Sequence, residues 1–270
     1  MSRRQRPAAP PGAGKAEGEH GGGRRLRLDQ ALVERGFTDS RSRAQALILA
    51  GQVFSGGTRL DKPGTPVASD LPLEIRGQDH PWVSRGGVKL AAALDAFGLS
   101  PENRVCLDIG ASTGGFTDVL LARGAARVHA VDVGHGQLAW KLRQDPRVVV
   151  HDRTNARFLE PGQIGEPIGA LVCDASFIGL RTVLPAPLAL CAAGSWAVAL
   201  VKPQFEVGPE AVGRGGVVKS ESARRTVCER IAHWWAARPG WRVLGLIPSP
   251  IAGRDGNVEF LIAARLEART

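Results

Sequence analysis

Four charged side chains stand where an α/β core does not ordinarily keep a charge: Lys89, Asp174, Lys202 and Glu259. Lys89 opens a helical stretch directly after Ser84-Arg85-Gly86-Gly87. Asp174 closes the apolar run ending Val172-Cys173, and Lys202 closes the run ending Leu200-Val201. Glu259 lies within Gly256-Asn257-Val258-Glu259-Phe260. In an open α/β sheet the carboxyl ends of the strands face the ligand crevice, which places Asp174 and Lys202 beside a reacting group. Glu259 joins them only if its strand runs antiparallel and presents its N-terminal half at that edge. Such a set suits the orientation and deprotonation of a weakly acidic hydroxyl during an in-line displacement. A lysine can take the proton if burial and a second cation depress its pKa, whereas flanking carboxylates push the other way. Taken singly, each residue reads better as half of an ordinary surface ion pair.

A second constellation precedes it. Val105-Cys106-Leu107-Asp108 is a strand ending in an acid, and Ile109-Gly110-Ala111-Ser112-Thr113-Gly114-Gly115-Phe116 turns from it into a helix. Glycines at 110, 114 and 115 allow tight turning and close approach of backbone to a ligand. The spacing is neither the dinucleotide fingerprint nor the phosphate loop with its Lys-Ser/Thr. Asp108 is expected to hold an ammonium group, such as the amino acid end of S-adenosylmethionine. Asp132, ending the next strand, is expected to accept from two ribose hydroxyls, and Asp152 with Asn155 to read an adenine edge. Acids after three successive strands weigh against an ordinary βα turn.

The elements that must position these groups alternate from residue 85 onward. Strands are predicted at Arg104–Asp108, Arg127–Asp132, Val148–His151, Ala170–Asp174, Ala197–Lys202, Arg242–Pro248 and Val258–Arg265. Helices are predicted at Val88–Phe97, Gly115–Ala122, Arg181–Leu190 and Glu221–Ala237. The pattern gives an α/β, Rossmann-like fold with a seven-stranded, mostly parallel sheet, its last two strands forming an antiparallel hairpin. Ahead of it, Leu28, Leu32 and Val33, then Ala44, Leu47 and Ile48, recur at helical spacing. Gly36 closes the first of these helices, and Asp39 or Ser40 caps the second. Short strands around Val53-Phe54, Val67 and Leu71–Ile75 complete a small α+β module. The expected domains are a disordered basic tail (1–25), the module (26–78), a linker (79–84) and the sheet domain (85–270).

The chain has 270 residues and a formal charge of +9, with six Lys/Arg against two Glu in its first 25 residues. That excess suggests a polyanionic partner. No apolar run approaches the ~20 residues of a membrane span, and a cytoplasmic protein is expected. Cys106, Cys173, Cys191 and Cys228 lack any metal-ligand spacing and no metal is expected; the first three, in or beside apolar runs, are expected as buried reduced thiols.

Asp108 to Phe116, Val172-Cys173-Asp174-Ala175-Ser176-Phe177, Val201-Lys202-Pro203-Gln204-Phe205-Glu206 and Gly256-Asn257-Val258-Glu259 resemble the FtsJ-type 2′-O-ribose methyltransferases. Ser84 to Leu90 and Thr154-Asn155-x-Arg157 bring the chain closer to the TlyA family of ribosomal RNA methyltransferases, historically also labelled hemolysins. The resemblance runs from about residue 26 to 267. It implies that Lys89, Asp174, Lys202 and Glu259 form a catalytic tetrad with Lys202 as general base. It also implies S-adenosylmethionine as cofactor and cytidine 2′-hydroxyls of rRNA, free or in ribosomal subunits, as substrate. The small module resembles an S4 RNA-binding domain, with Arg27, Arg41, Arg43 and Lys62 as RNA contacts, and Arg85 at the start of the sheet domain is a further candidate. A monomer is expected. One departure stands in the linker, where His80-Pro81-Trp82-Val83 replaces the usual Arg-x-Trp-Val.

Competing readings stay open at this level. Amino-group methylation usually shows Asn/Asp-Pro-Pro-aromatic where this chain has Asp174-Ala175-Ser176-Phe177, and no cysteine is placed for carbon methylation. A non-enzymatic RNA-binding or hemolysin-like protein with a methyltransferase-like shell is the remaining alternative. A substrate-contacting glycine loop is expected at Arg214-Gly215-Gly216 and Lys219. Trp234-Trp235 is expected to pack on the sheet.

Overall fold

A computed structural model describes residues 25–38, 40–49, 51–76, 80–208, 210, 212–213, 215–253 and 256–267. The expectations for the basic tail before residue 25, the Asp39 cap, residues 77–79 of the module end and linker, and Arg214 lie outside these residues.

The small domain begins one strand earlier than the sequence pattern suggests. β1 (Arg25–Arg27) leads into α1 (Leu28–Glu34) and α2 (Arg41–Leu49), followed by β2 (Val53–Ser55), β3 (Thr58–Arg59), β4 (Pro66–Ala68) and β5 (Glu74–Ile75). β1 pairs antiparallel with β4, and β2 lies between β3 and β5. A strand of three residues carries too little periodicity to be seen without its partner. Leu28, Leu32, Ile48 and Val53 are fully buried at the centre of this domain. Gly36 closes α1 with φ of 73°, the left-handed region that glycine enters freely. A side chain there would press on Thr113 and on the Gln137 carbonyl of the larger domain, so the two domains meet at this turn.

The larger domain runs α3 (Gly86–Phe97), β6 (Val105–Ile109), α4 (Gly115–Ala122), β7 (Arg127–Val131), α5 (Trp140–Arg143), β8 (Val148–His151), α6 (Pro161–Ile164) and β9 (Ile168–Cys173). It continues with α7 (Leu180–Val183), α8 (Pro185–Ala189), β10 (Cys191–Val201), α9 (Glu221–Ala236), β11 (Trp241–Pro248) and β12 (Phe260–Leu266). The seven strands order β11-β12-β10-β9-β6-β7-β8, with β12 antiparallel to both neighbours and the remaining described pairs parallel. α3 and α4 cover one face, around Leu90, Leu94 and Leu120, and α9 covers the other through Ile231 and Trp235.

Two expectations need correction. The single helix expected over Arg181–Leu190 is two short ones, because Pro185 has no amide to continue α7 and instead opens α8. β10 starts at Cys191 rather than Ala197: a bulge through Gly194 and Ser195 shifts register and lets the strand run on. Trp235 packs in the core against Trp241, ring centres 6.0 Å apart, as expected for a helix face on the sheet. Cys106 and Cys173 are buried free thiols whose pKa burial pushes up to about 12.

Candidate active site

The antiparallel β12 supplies the geometry that Glu259 needs. Val201 pairs with Phe260, so Glu259 stands just beyond the end of β10, where Lys202 emerges. The four charged residues resolve into two separate ion pairs. Lys89 Nζ lies 2.6 Å from Glu259 Oε2, with both side chains nearly excluded from solvent. Lys202 Nζ lies 2.7 Å from Asp174 Oδ1 and also donates to Ser176 Oγ at 2.8 Å and to the Asp174 carbonyl at 3.2 Å. All four line a cleft of about 1660 Å³ across the carboxyl edge of the sheet.

On the other side of that cleft the backbone dominates. β6 enters a turn in which Gly110, Ser112 and Gly114 all have positive φ. A side chain at Gly110 would meet the Ala175 backbone at 2.9 Å, so the turn packs directly on the loop after β9. One at Gly115 would meet Ser84 Oγ at 2.3 Å and the Gly87 nitrogen at 2.9 Å, which brings the start of α3 against α4. Asp132 accepts from the Ser112 amide at 2.8 Å and from the Gly134 amide at 2.7 Å. It thereby ties the turn after β6 to the loop after β7. Gly110, Ser112, Thr113, Gly115, Phe116, Asp132 and Asn155 line the cleft.

Gly114, Asp108 and Asp152 do not line it. Gly114 caps α4 in the left-handed region and packs behind the turn, where an added side chain would strike Leu142. Asp108 is not at a strand tip, since β6 runs on to Ile109; its side chain is fully buried. Oδ2 accepts from Thr117 Oγ1 at 2.7 Å, while Oδ1 has no protein partner. Burial pushes its pKa up to about 7, assisted by the nearby charges of Asp174 and Asp132 and opposed by the Thr117 hydrogen bond. Asp152 uses Oδ2 to hold the loop after β7, accepting from Arg143 at 2.9 Å and the Gly136 amide at 3.2 Å and sharing a 3.1 Å contact with His135. Those donors hold its carboxyl below the usual range, although burial opposes them. Asp152 thus shapes the loop instead of facing the cleft.

The donor set fits a cofactor with an amino acid end and a ribose. The first amides of α4 include the orphan donors of any helix N-terminus, which suit a carboxylate. A buried carboxylate oxygen without a partner lies beneath the turn at Asp108, and Asp132 retains acceptor capacity for hydroxyls.

Several residues were not singled out by sequence. Phe177 is 84% exposed, has φ of 63°, and packs against Phe205 with ring centres 5.1 Å apart and planes tilted by 45°. That conformation costs a bulky residue about 1–2 kcal/mol, and it projects an aromatic ring at the mouth of the cleft. Glu206 Oε1 accepts from the Leu180 amide at 2.6 Å, fastening the loop of Asp174 to the loop of Lys202. Asn257 accepts from the Val218 amide and donates to the Gly216 carbonyl, which holds part of the glycine loop at the cleft. All three lie in or beside the segments that carry the family resemblance, and that was the available signal.

The RNA-contact candidates separate. Arg27 and Arg41 both bond the buried Asp29, whose carboxyl they and Gln45 hold well below the usual range, with Arg27 the largest cause. Arg43 and Arg85 line the cleft, whereas Lys62 is exposed in the loop before β4.

Residues 82–266 match the family model described as FtsJ-like methyltransferase, and residues 26–70 match the S4 domain. The chain is 50% identical over 238 residues to YqxC of Bacillus subtilis (strain 168), named as a candidate rRNA methyltransferase, covering 87% of this chain and 84% of that protein. It is 49% identical over 245 residues to the 16S/23S rRNA (cytidine-2'-O)-methyltransferase TlyA of Mycobacterium tuberculosis (strain ATCC 25618 / H37Rv), covering 90% and 91%. A solved structure of a candidate hemolysin from Streptococcus thermophilus superposes with a TM-score of 0.74 at 42% identity, covering 90% of this chain and 89% of that one.

Proposed function

The chain belongs to the FtsJ-like methyltransferase family, and from that premise we propose that it methylates the 2′-hydroxyl of a cytidine in ribosomal RNA. It is an S-adenosylmethionine-dependent enzyme with an S4 domain ahead of its catalytic domain. The observation that carries the ribose reading is the pair of lysine–carboxylate contacts facing one cleft, Lys89–Glu259 and Lys202–Asp174. Such a site is built to orient a hydroxyl and receive its proton, and it has no thiolate for attack on a base.

S-adenosylmethionine, when bound, supplies an electrophilic methyl group whose leaving group is a neutral thioether. Gly110, Ser112, Thr113, Gly115, Phe116, Asp132 and Asn155, which line the cleft, would hold it, the first α4 amides suiting a carboxylate and Asp132 suiting hydroxyls. Lys202 Nζ receives the proton of the RNA 2′-hydroxyl. Asp174 and Ser176 fix the position of that nitrogen at the cleft, and it takes the proton in its neutral amine form. Lys89 and Glu259 stabilise each other where burial would penalise either alone. Phe177 and Phe205 offer a face on which the target base can stack. The partner is RNA, either free rRNA or a ribosomal subunit, and the enzyme acts as a monomer in the cytoplasm.

No helix among the described residues is long and apolar enough to cross a membrane. The test is transfer of label from tritiated S-adenosylmethionine to rRNA lacking the modification, followed by nucleoside analysis. Label on the cytidine ribose is expected; label on a base would refute the reading.

A further inference from the structure

A smaller cavity of about 470 Å³ lies between the two domains, where α2, the linker and the start of α3 meet. Its polar wall is Thr38, Arg43, His80, Ser84 and Arg85, and no carboxylate among the described residues lines it. Thr38, Arg43, Ser84, Arg85 and Ile251 also line the large cleft, so the cavity adjoins the active site. The two arginines differ from the other candidate RNA contacts. Arg27 and Arg41 are committed to Asp29 at 3.0 Å each. Arg43 and Arg85 have no side-chain hydrogen bond or ion pair among the described residues. His80 Nδ1 is buried there without a partner as well.

An unpaired guanidinium presents a planar fork of donors that matches two oxygens of a phosphate. Two of them line one cavity, and none of its described lining residues is an acid. We propose that Arg43 and Arg85, one from each domain, close on a single phosphodiester of the RNA next to the nucleotide being methylated. The S4 domain then helps to place the target strand in the catalytic cleft and is more than a distant tether. This rests on the RNA-methyltransferase reading above. His80, which replaces the usual linker arginine, supplies a further donor to the same anion.

The test is binding of free rRNA and of ribosomal subunits lacking the modification, measured over a salt series for the full chain. Arg43→Ala and Arg85→Ala should each weaken binding about tenfold, the loss of one charged hydrogen bond. Each should also flatten the dependence of log affinity on log salt by about 0.7–0.9, one phosphate contact. The double variant should lose little more than either single one, because both residues hold the same phosphate. S-adenosylmethionine affinity of Arg43→Ala should stay within about twofold, showing an intact fold. Unchanged salt slopes in both single variants would overturn the clamp, as would fully additive losses, which mean two separate phosphates. Inorganic phosphate should weaken RNA binding beyond ionic-strength-matched chloride, and Arg43→Ala should abolish that excess. Phosphate that binds the wild-type chain without displacing RNA would overturn the assignment to the RNA backbone. Failure of the wild-type chain to methylate rRNA would count against the enzymatic reading, while the salt slopes would still decide the clamp.

Discussion

Asp108, within β6, and Glu259, just before β12, are both buried carboxylates, and they are treated in opposite ways. Glu259 has the Lys89 ammonium 2.6 Å away; Asp108 has only the Thr117 hydroxyl on one oxygen and nothing from the protein on the other. The contrast runs through the two halves of the cleft. Around β9, β10 and β12, the half assigned to the acceptor RNA, buried charges are neutralised by side chains from distant parts of the chain. Around β6, β7 and β8, the half assigned to the cofactor, the donors are backbone amides close in sequence. A half closed by its own ion pairs is set for proton handling, and a half with an unpaired acid and orphan amides is set for a charged ligand.

The largest expected effect breaks the first half at its proposed proton acceptor. Lys202→Ala should lower methyl transfer by roughly 10²–10⁴, the usual worth of positioned acid–base catalysis, with S-adenosylmethionine affinity preserved. Single-turnover rates and a cofactor titration measure the two separately. Retained turnover would remove Lys202 from that role and erase the division of labour between the halves.

Next comes the buried pair. Glu259→Ala leaves the Lys89 ammonium without its partner, at a cost of about 3–5 kcal/mol. Replacing both residues by Met and Leu should recover most of that stability while activity stays lost. Chemical denaturation checks this, and a double variant as unstable as the single one would mean that the pair is not an isolated unit.

The two halves also differed in how much of them the sequence disclosed. The cofactor turn is contiguous, so the position of Gly110, Gly115 and Asp132 at the cleft could be read from glycine spacing and strand ends. Asp108 and Asp152 were misplaced for one reason: an acid near a strand end can face the ligand or the interior, and only packing decides. The tetrad residues were visible as misplaced charges, but their partition into Lys89–Glu259 and Lys202–Asp174 was not. That partition depends on β12 entering between β10 and β11, a pairing spread over the last third of the chain. Phe177 escaped notice because its exposure comes from a positive φ, which no residue type announces.

A smaller effect probes the cofactor half. Asp132→Ala removes an acceptor for ribose hydroxyls and frees the Ser112 and Gly134 amides that shape the turn. Cofactor affinity should fall about 10–100-fold, the scale of one or two charged hydrogen bonds, while turnover at saturating cofactor stays much closer to wild type. Equilibrium titration separates this from Lys202→Ala, and equal losses of affinity in both variants would merge the two halves.

The smallest effect follows from the unpaired acid itself. Burial raises the Asp108 carboxyl from its ordinary value of 3.8 to about 7 in the folded protein. Between those values the folded chain holds a proton that the unfolded chain has released, so rising pH favours unfolding. Below the window both states are protonated, and above it both are ionised with the full burial penalty in place. Stability of the protein without cofactor should therefore fall by about 1 kcal/mol between pH 5.5 and 6.5 from this group. Asp108→Asn should remove that component of the slope, measured by denaturation across the pH series. If the slope persists in Asp108→Asn, another group carries it, and the contrast between the unpaired Asp108 and the paired Glu259 has no bearing on stability.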